Sequence, residues 1–269
     1  MTFQPIIVGT GLAAWSLLKT TLATQKAAFG ANYQTQSDTQ YFRNTYPRLD
    51  TPEDIVSDRR ILRVVLGAYG LSEDIDNRHF IKTVLTEGVT DRSALANKLS
   101  DRRYRSLARD FDFSIFPPPH KSSAGLLDKT ITAFLAQSFE TAIGETSSDM
   151  RLALGFKRAL SDVAQTAGSN STAWFQVLAT PPLREVIQTA LGLPSAFAKL
   201  DIDAQHDRIM DKAKRVFGTD LVSDLADEDR SDDIIRRFLV TQQGASTVQN
   251  SSMQTALLLL SAIPSRNQR

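Results

Sequence analysis

The pattern closest to a chemical motif lies at residues 9–14, Gly-Thr-Gly-Leu-Ala-Ala, after the strand-like apolar run at residues 4–9. Its spacing matches G-x-G-x-x-A, in which backbone amides at a helix start bind the pyrophosphate of a dinucleotide. That motif also requires a second strand and an acidic residue about 20 positions later to hold the ribose. Residues 27–37 have no strand pattern, and the first acid is Asp38. We therefore favour a flexible glycine-rich entry to a helix and keep a dinucleotide-binding oxidoreductase as an alternative.

The residues that commonly bind metals are few and scattered. The three histidines, His79, His120 and His206, show no His-Glu-x-x-His or similar spacing. The chain has no cysteine, which excludes thiolate metal sites and thiol nucleophiles. Residues 201–207 begin like a calcium loop, but the loop's required glycine and glutamate are replaced by His206 and Lys212. We predict no metal and no cofactor.

The charged residues are explained by helix ends and helix surfaces. Acidic groups such as residues 227–233 stand at predicted helix starts, where the positive end of the helix dipole favours them. The basic pairs lie near acids on amphipathic helices, at Arg59-Arg60, Arg102-Arg103 and Arg236-Arg237. Neither a Gly-x-Ser-x-Gly elbow nor a phosphate-binding loop is present. Because 31 basic residues face 30 acidic ones, no net field recruits nucleic acid, and we predict a non-enzymatic protein without a nucleic-acid partner.

Length and hydropathy indicate a globular chain. Its 269 residues are 42% hydrophobic and 23% charged, which is ordinary for a folded protein with a real core. The longest purely apolar run, residues 256–260, is far shorter than the ~20 residues that span a bilayer. No basic residue precedes Lys19, so the start does not resemble a secretory signal. We expect a cytoplasmic protein without membrane insertion, or one exported without a cleaved signal.

The first 44 residues are predicted to form a partly helical N-terminal arm. Leu12, Trp15, Leu18 and Leu22 recur at the spacing of one face of a helix. This apolar stripe needs a cover, which is either the body of the chain itself or a partner.

The helical body is predicted at residues 45–240. Thr51 precedes Pro52 and acidic residues, a typical helix start, and Gly70 is a typical helix stop. Short capped helices of the same kind follow along the body, with Ser100 as the cap of one of them. Residues 116–125, which begin Phe-Pro-Pro-Pro, break the helical pattern and predict an extended connector between two halves.

The two halves share a weak internal helix-turn-helix repeat. Aligning Gly70 with Gly192 pairs apolar positions of similar size in the preceding helices. The pairs are Ile55 with Val177, Val64 with Val186, Val65 with Ile187, Ala68 with Ala190, and Phe80 with Ile202. The fold class that follows is all-α, a multi-helical globular body of short capped helices.

The C-terminal region, residues 241–269, is predicted to be a polar linker at 241–252 followed by an amphipathic helix. Met253, Leu257 and Leu260 share one face of that helix, which ends at Pro264. Together with the N-terminal stripe, these residues are candidate partner-binding positions. Protein partners and self-association are therefore expected.

Three stretches of the chain resemble a known family. They are ILRVVLGAYGLSEDIDNRHFIKTVLTEGVTDRSALANKLSDRRYRSLARDFDF at residues 61–113, FETAIGETSSDMRLALGFKRAL at 139–160, and AWFQVLATPPLREVIQTALGLP at 173–194. They are similar to the bacterial domain-of-unknown-function family DUF1217. The resemblance implies a helical protein with no assigned catalytic residues, from a family often encoded beside flagellar genes. It points to a structural or interaction component of flagellar assembly or motility, with a cytoplasmic flagellar export chaperone as an alternative.

Overall fold

A computed structural model describes the backbone of residues 3–99 and 101–261, with side chains described to residue 244. Within these residues the chain forms fifteen α-helices, three short 3₁₀ turns and no strand, which confirms the all-α prediction. The helices are α1 Gly11–Gly30, α2 Tyr33–Thr45, α3 Pro52–Val56, α4 Arg59–Ala68, α5 Arg78–Glu87, α6 Leu95–Lys98, α7 Arg102–Asp110, α8 Pro119–Ser122, α9 Leu126–Thr146, α10 Ser148–Thr166, α11 Asn170–Ala179, α12 Pro181–Ala190, α13 Ile202–Phe217, α14 Val222–Leu225 and α15 Glu228–Ser261.

The chain divides into two compact units. The first contains Met1–Ile7 and Leu18–Arg151, and the second contains Val8–Leu17 and Leu152–Arg269. The division after residue 151 differs from the predicted connector at 116–125, because the short helix α8 and the long helix α9 continue the first unit. The arm predicted at residues 1–44 is not a separate element, since α2 packs against α4 and α9 inside the first unit.

The first unit is built around the pair formed by α4 and α9. Helix α4 begins after Asp58, whose carboxylate accepts hydrogen bonds from the amides of Arg60 and Ile61. A Cβ on Gly67 would lie 2.7 Å from a ring carbon of Phe134 on α9. The missing side chain at Gly67 therefore permits the close approach of the two helices. Seven of the ten α4 residues are buried, so this helix is the centre of the unit's core.

A buried carboxylate attaches α2 to α4. Asp38 is 2% exposed and pairs with Arg60 and Arg63, each at 3.0 Å. Gln34 donates a further hydrogen bond of 3.0 Å to the same carboxylate. The guanidinium of Arg60 also lies 4.2 Å from the ring centre of Tyr41. Charge-assisted hydrogen bonds therefore hold the polar helix α2, which the sequence assigned to an N-terminal arm, in the first unit.

Residues 4–9 do not form the predicted strand. The side chain of Gln25 pairs with the backbone of Ile6 instead, accepting from its amide at 2.8 Å and donating to its carbonyl at 3.1 Å. Gln25 also donates to the hydroxyl of Thr21 one turn earlier in α1. A strand needs a neighbouring strand to satisfy its backbone, whereas here one buried amide side chain takes that role.

The second unit contains the pair formed by α12 and α15, with α11 packed against α12, α13 and α14. The indole of Trp174 donates to the carbonyl of Asp220 at 2.7 Å. Asn170 donates to that same carbonyl and accepts from the amide of Val222. These bonds fix the turn before α14 against the start of α11. Residues 241–252, predicted as a linker, lie within α15.

The internal repeat is visible in the local structure of the two units. With Gly70 aligned on Gly192, α4 and α12 coincide residue for residue. Both helices end in the same capping pattern, since the amide of Leu71 donates to the Leu66 carbonyl and that of Leu193 to the Gln188 carbonyl. The paired core positions are buried in both copies. The last pair differs, because Ile202 is half-exposed at the start of α13 and does not join the core as predicted.

Most predicted helix ends are confirmed, with three adjustments. Thr51 forms a full capping box with Asp54, and Gly70 and Gly88 take the left-handed φ values of 70° and 63°. One predicted helix is split into α3 and α4, because the Asp58 carboxylate caps a new start. Asp101 caps α7 by accepting from the amide of Arg103, and the predicted cap Ser100 lies outside the described residues. The sequence indicates Asp76 or Asn77 as the cap of α5, and Asn77 precedes this helix without a side-chain cap.

Candidate functional site

A cluster of aromatic rings surrounds His120 in the first unit. Its ring stacks on Phe111 with centres 5.3 Å apart, and its centre lies 5.1 Å from that of Phe113 and 5.6 Å from that of Tyr46. The Nε2 atom lies 2.8 Å from the carbonyl oxygen of Leu49 and is assigned as the donor, because a carbonyl only accepts. Burial lowers the pKa of His120, so its imidazole is neutral near pH 7.

The hydroxyl of Tyr46 adds a hydrogen bond to this cluster by donating to the backbone carbonyl of His120 at 3.0 Å. Burial, assisted by the charge of Asp110, raises the pKa of Tyr46 to about 12. The phenol therefore remains a donor at every physiological pH. Nearby, Lys121 pairs with Asp50 at 2.7 Å and donates to the carbonyl of Pro47. Helix α8 is thus fixed at its first residues to the segment that precedes α3.

The loop between α7 and α8 begins next to Asp112, whose side chain fixes it there. This buried carboxylate accepts from the amides of Val89 at 3.1 Å and Ser114 at 2.9 Å, and from the Ser114 hydroxyl at 2.5 Å. A Cβ on Gly88 would overlap the carboxylate, so the glycine makes room for it. The loop of residues 113–118 is consequently held at both of its ends.

The apex of this loop is apolar and faces solvent. Phe116 is 97% exposed and Ile115 is 43% exposed, and the peptide bond between Phe116 and Pro117 is cis. The two apolar side chains therefore stand in solvent on a loop that is held at both ends. We refer to Ile115 and Phe116 as the apolar apex. The sequence indicated a spacer here, and its Phe-Pro-Pro-Pro run is the signal that locates the apex.

A second polar group lies between α11 and α13 in the second unit. The hydroxyl of Ser171 lies 3.0 Å from Nε2 of His206, whose Nδ1 lies 3.2 Å from the Asp207 carboxylate. The imidazole stacks on Phe175, with ring centres 4.4 Å apart. Asp207 is the next residue of the same helix and projects into solvent. The arrangement ties two helices together, and sequence spacing did not reveal it because Ser171 and His206 come from different helices.

The calcium-like run at residues 201–207 is a helix start. Asp201 caps α13 by accepting from the amide of Ala204 at 2.9 Å. Among the residues that the structure describes, no three histidine or acidic side chains are grouped as metal ligands. The run is therefore a solvated cap, as expected.

The four N-terminal candidate residues lie on α1. Trp15 and Leu18 are 6% and 1% exposed, and Leu12 and Leu22 are half-buried. The chain itself therefore covers the centre of the stripe, which is one of the two covers that the sequence left open. Met253, Leu257 and Leu260 lie in the part of α15 whose side chains are outside the described residues.

The glycines of the G-x-G-x-x-A pattern have local structural roles. Gly9 and Gly11 take φ values of 84° and 58°, which favour glycine. A Cβ on Gly11 would lie 2.6 Å from the side-chain oxygen of Gln243 on α15. Gly11 therefore forms the tight start of α1 beside α15, and no neighbouring strand completes a dinucleotide-binding unit within residues 3–99 and 101–261.

An open groove of about 420 Å³ lies beside α15 in the second unit, lined in part by Ala190, Val240 and two arginines. Arg236 pairs with Asp233 at 3.3 Å, and the Arg237 guanidinium lies 5.9 Å from the ring centre of Phe217. Both cations are thus engaged by the protein. None of the helices in the described part of the chain combines the length and hydropathy of a membrane span.

Comparison with known proteins agrees with this architecture. A crystal structure of protein AGR_C_984 from Agrobacterium tumefaciens superposes with a TM-score of 0.69 at 26% sequence identity. The match covers 90% of this chain and 97% of the other, so the same fold extends over nearly the whole length of both. No curated protein shows significant similarity to the sequence. The model of the family described as "Protein of unknown function (DUF1217)" matches residues 68–230, more than half of the chain, and the chain belongs to this family.

Proposed function

We propose that the chain is a non-enzymatic interaction protein that binds a protein partner through its apolar apex. The observation that carries this proposal is the 97% exposure of Phe116 on a loop fixed at both ends. Aromatic side chains are enriched among the few residues that dominate protein–protein affinity. Phe116 of the apolar apex is such an aromatic side chain, and its loop is already ordered before a partner binds.

The energetics favour binding at this point. Burying a phenylalanine side chain contributes about 1.5–3 kcal/mol. The anchors at Asp112 and His120 limit the conformations of the loop before any partner arrives. The entropy lost when a partner binds is smaller for a loop that is already ordered. The apex therefore offers apolar area at a low ordering cost.

We further propose that this interaction serves flagellar assembly or motility. The process is the one that the family resemblance implies, and it is separate from the geometry of the apex. Deletion of the gene in a flagellated host is expected to impair flagella or swimming. A deletion strain with normal flagella and normal swimming would remove this half of the proposal.

Complementation of the deletion strain tests the apex itself. Phe116→Ser is expected to restore swimming poorly although the protein accumulates normally, because the substitution removes only an exposed side chain. Tyr33→Ser is the matched control, since Tyr33 is an aromatic residue of the same unit that is also largely exposed. Full complementation by Phe116→Ser would contradict a role for the apex.

Cell fractionation separates this proposal from the export-chaperone alternative. A structural component is expected in purified filaments or basal bodies. An export chaperone is expected in the cytoplasm, bound to an unassembled flagellar subunit. Recovery of the protein only in that cytoplasmic complex would favour the chaperone.

A further inference from the structure

The segment before the apolar apex carries a concentration of positive charge. Residues 92–109 contain six basic residues and one acidic residue, although the whole chain has a net charge of only +1. Arg103 is held by Asp101, with 2.7 Å between nitrogen and oxygen, and by the carbonyl of Gly70. Arg102 and Arg105 are exposed, and neither forms an ion pair within the described residues. Three positions apart on α7, they lie on one face of the helix, which we refer to as the basic face.

The basic face and the apolar apex belong to one unit and follow each other along the chain. Helix α7 ends at Asp110, and the loop that carries Phe116 begins directly after it. The first unit therefore presents two unpaired cations together with an exposed aromatic anchor. A partner that suits this combination is acidic and offers an apolar side chain of its own.

The second unit carries such a segment. Residues 220–233 contain seven acidic residues and one basic residue. Asp227 and Asp229 are exposed and form no ion pair within the described residues. Their position before and within the first turn of α15 is favoured by the helix dipole, but their charge remains open to solvent. Leu221, in the same segment, is 45% exposed.

We propose that the basic face and apolar apex of one copy bind the acidic segment of a second copy. This inference rests on the proposed function of the apex as a protein-binding site. Both surfaces occur on the same chain, carry opposite charge and include an exposed apolar residue. Phe116 and Leu221 are exposed, as are the charged side chains that accompany them.

The contact joins two different surfaces that every copy carries. Two copies that exchange both surfaces form a two-fold dimer, and copies that share one contact each build rings or open chains. The charges steer the encounter and select the orientation, and burial of Phe116 and Leu221 contributes most of the affinity. Because exposed charges are screened by salt, the association weakens as ionic strength rises.

Sedimentation velocity of the full chain over a dilution series, at low and high salt, tests the proposal. The wild type is expected to associate with increasing concentration, more strongly at low salt. We expect the dissociation constant of self-association to rise at least about tenfold in each of two charge-reversed variants, Arg102→Glu/Arg105→Glu and Asp227→Arg/Asp229→Arg. Lys199→Glu/Arg208→Glu is the matched control, because it changes the charge equally at exposed positions and is expected to associate as the wild type does.

A charge-swap mixture gives the decisive result. The two reversed variants are expected to associate with each other, because one keeps its native basic face and the other its native acidic segment. The two reversed surfaces also carry opposite charges. A wild type that stays monomeric throughout, or reversed variants that fail to associate when mixed, would overturn the inference. If Phe116→Ser impairs swimming while the wild type stays monomeric, the apex binds a different protein and only the second-copy inference fails. Circular dichroism confirms that each variant is folded.

Discussion

The carboxylate of Asp112 occupies the space that a side chain at Gly88 would need, with Oδ1 1.9 Å from the ideal Cβ position. Gly88 ends α5 with a φ of 63°, and Asp112 uses the vacated space to bind the amides of Val89 and Ser114. The end of α5 and the start of the loop at residues 113–118 therefore depend on the same contact between Gly88 and Asp112. The position of the apolar apex depends on it.

Gly88→Ala is expected to lower the free energy of unfolding by about 3 kcal/mol, from left-handed backbone strain and displacement of a buried carboxylate. Gly125→Ala is the control, because Gly125 has a φ of 84° but no atom within 4 Å of an added Cβ. That substitution should cost about 1 kcal/mol, from strain alone. Urea denaturation followed by circular dichroism measures both. Equal losses would show that Asp112 moves aside freely.

Asp38→Asn tests the buried carboxylate that joins α2 to α4. Loss of the charge leaves Arg60 and Arg63 without their partner, and we expect a loss of about 2–4 kcal/mol in the free energy of unfolding. The arginines are partly exposed, which keeps the loss below that of a fully buried pair. Asp128→Asn should cost less than about 1 kcal/mol, since the pair of Asp128 with Arg43 is exposed. A similar loss in both variants would contradict this account.

His120 predicts a dependence of stability on pH. Burial lowers the pKa of His120 below its ordinary 6.5, although the carbonyl of Leu49 partly opposes this and Asp50 and Lys121 lie nearby with opposite charges. Below about pH 6.5 the unfolded chain binds a proton that the folded chain does not, so the free energy of unfolding decreases as pH falls. Asp91, whose pKa is lowered by hydrogen bonds from Ser93, loses its contribution only near and below its ordinary 3.8.

The measurement is the thermal midpoint between pH 7 and pH 5. His120→Gln should flatten this dependence, because its amide can still donate to the Leu49 carbonyl but does not titrate. His79→Gln, at an exposed position, is expected to retain the slope of the wild type. An unchanged slope in His120→Gln would assign the pH dependence to another group.

Gln25→Ala is expected to release the backbone of Ile6. The substitution removes both hydrogen bonds that hold this residue, and water replaces part of them because the Ile6 side chain is exposed. The cost in unfolding free energy should be about 1 kcal/mol. Hydrogen exchange at the Ile6 amide is the direct readout and should become fast. Gln36→Ala, on the exposed face of α2, should leave that exchange rate unchanged.

The sequence by itself determined the features that depend on neighbouring residues. Thr51 and Pro52 specified a helix start, and Gly70 and Gly192 specified helix ends, because caps and left-handed turns are satisfied within a few residues. The spacing of apolar residues identified the helices and most of the core. These local signals also exposed the repeat of α4 in α12.

Only the tertiary structure decided which polar and apolar side chains meet or remain open. The burial of Asp38 depends on arginines of another helix, and Gln25 satisfies Ile6 across nineteen positions. The sequence left open whether the chain or a partner covers the stripe at Trp15, and it predicted a plain spacer at Phe116. The structure buries Trp15 and exposes Phe116, and no local pattern of residues could decide either outcome, because burial is a property of the packed chain.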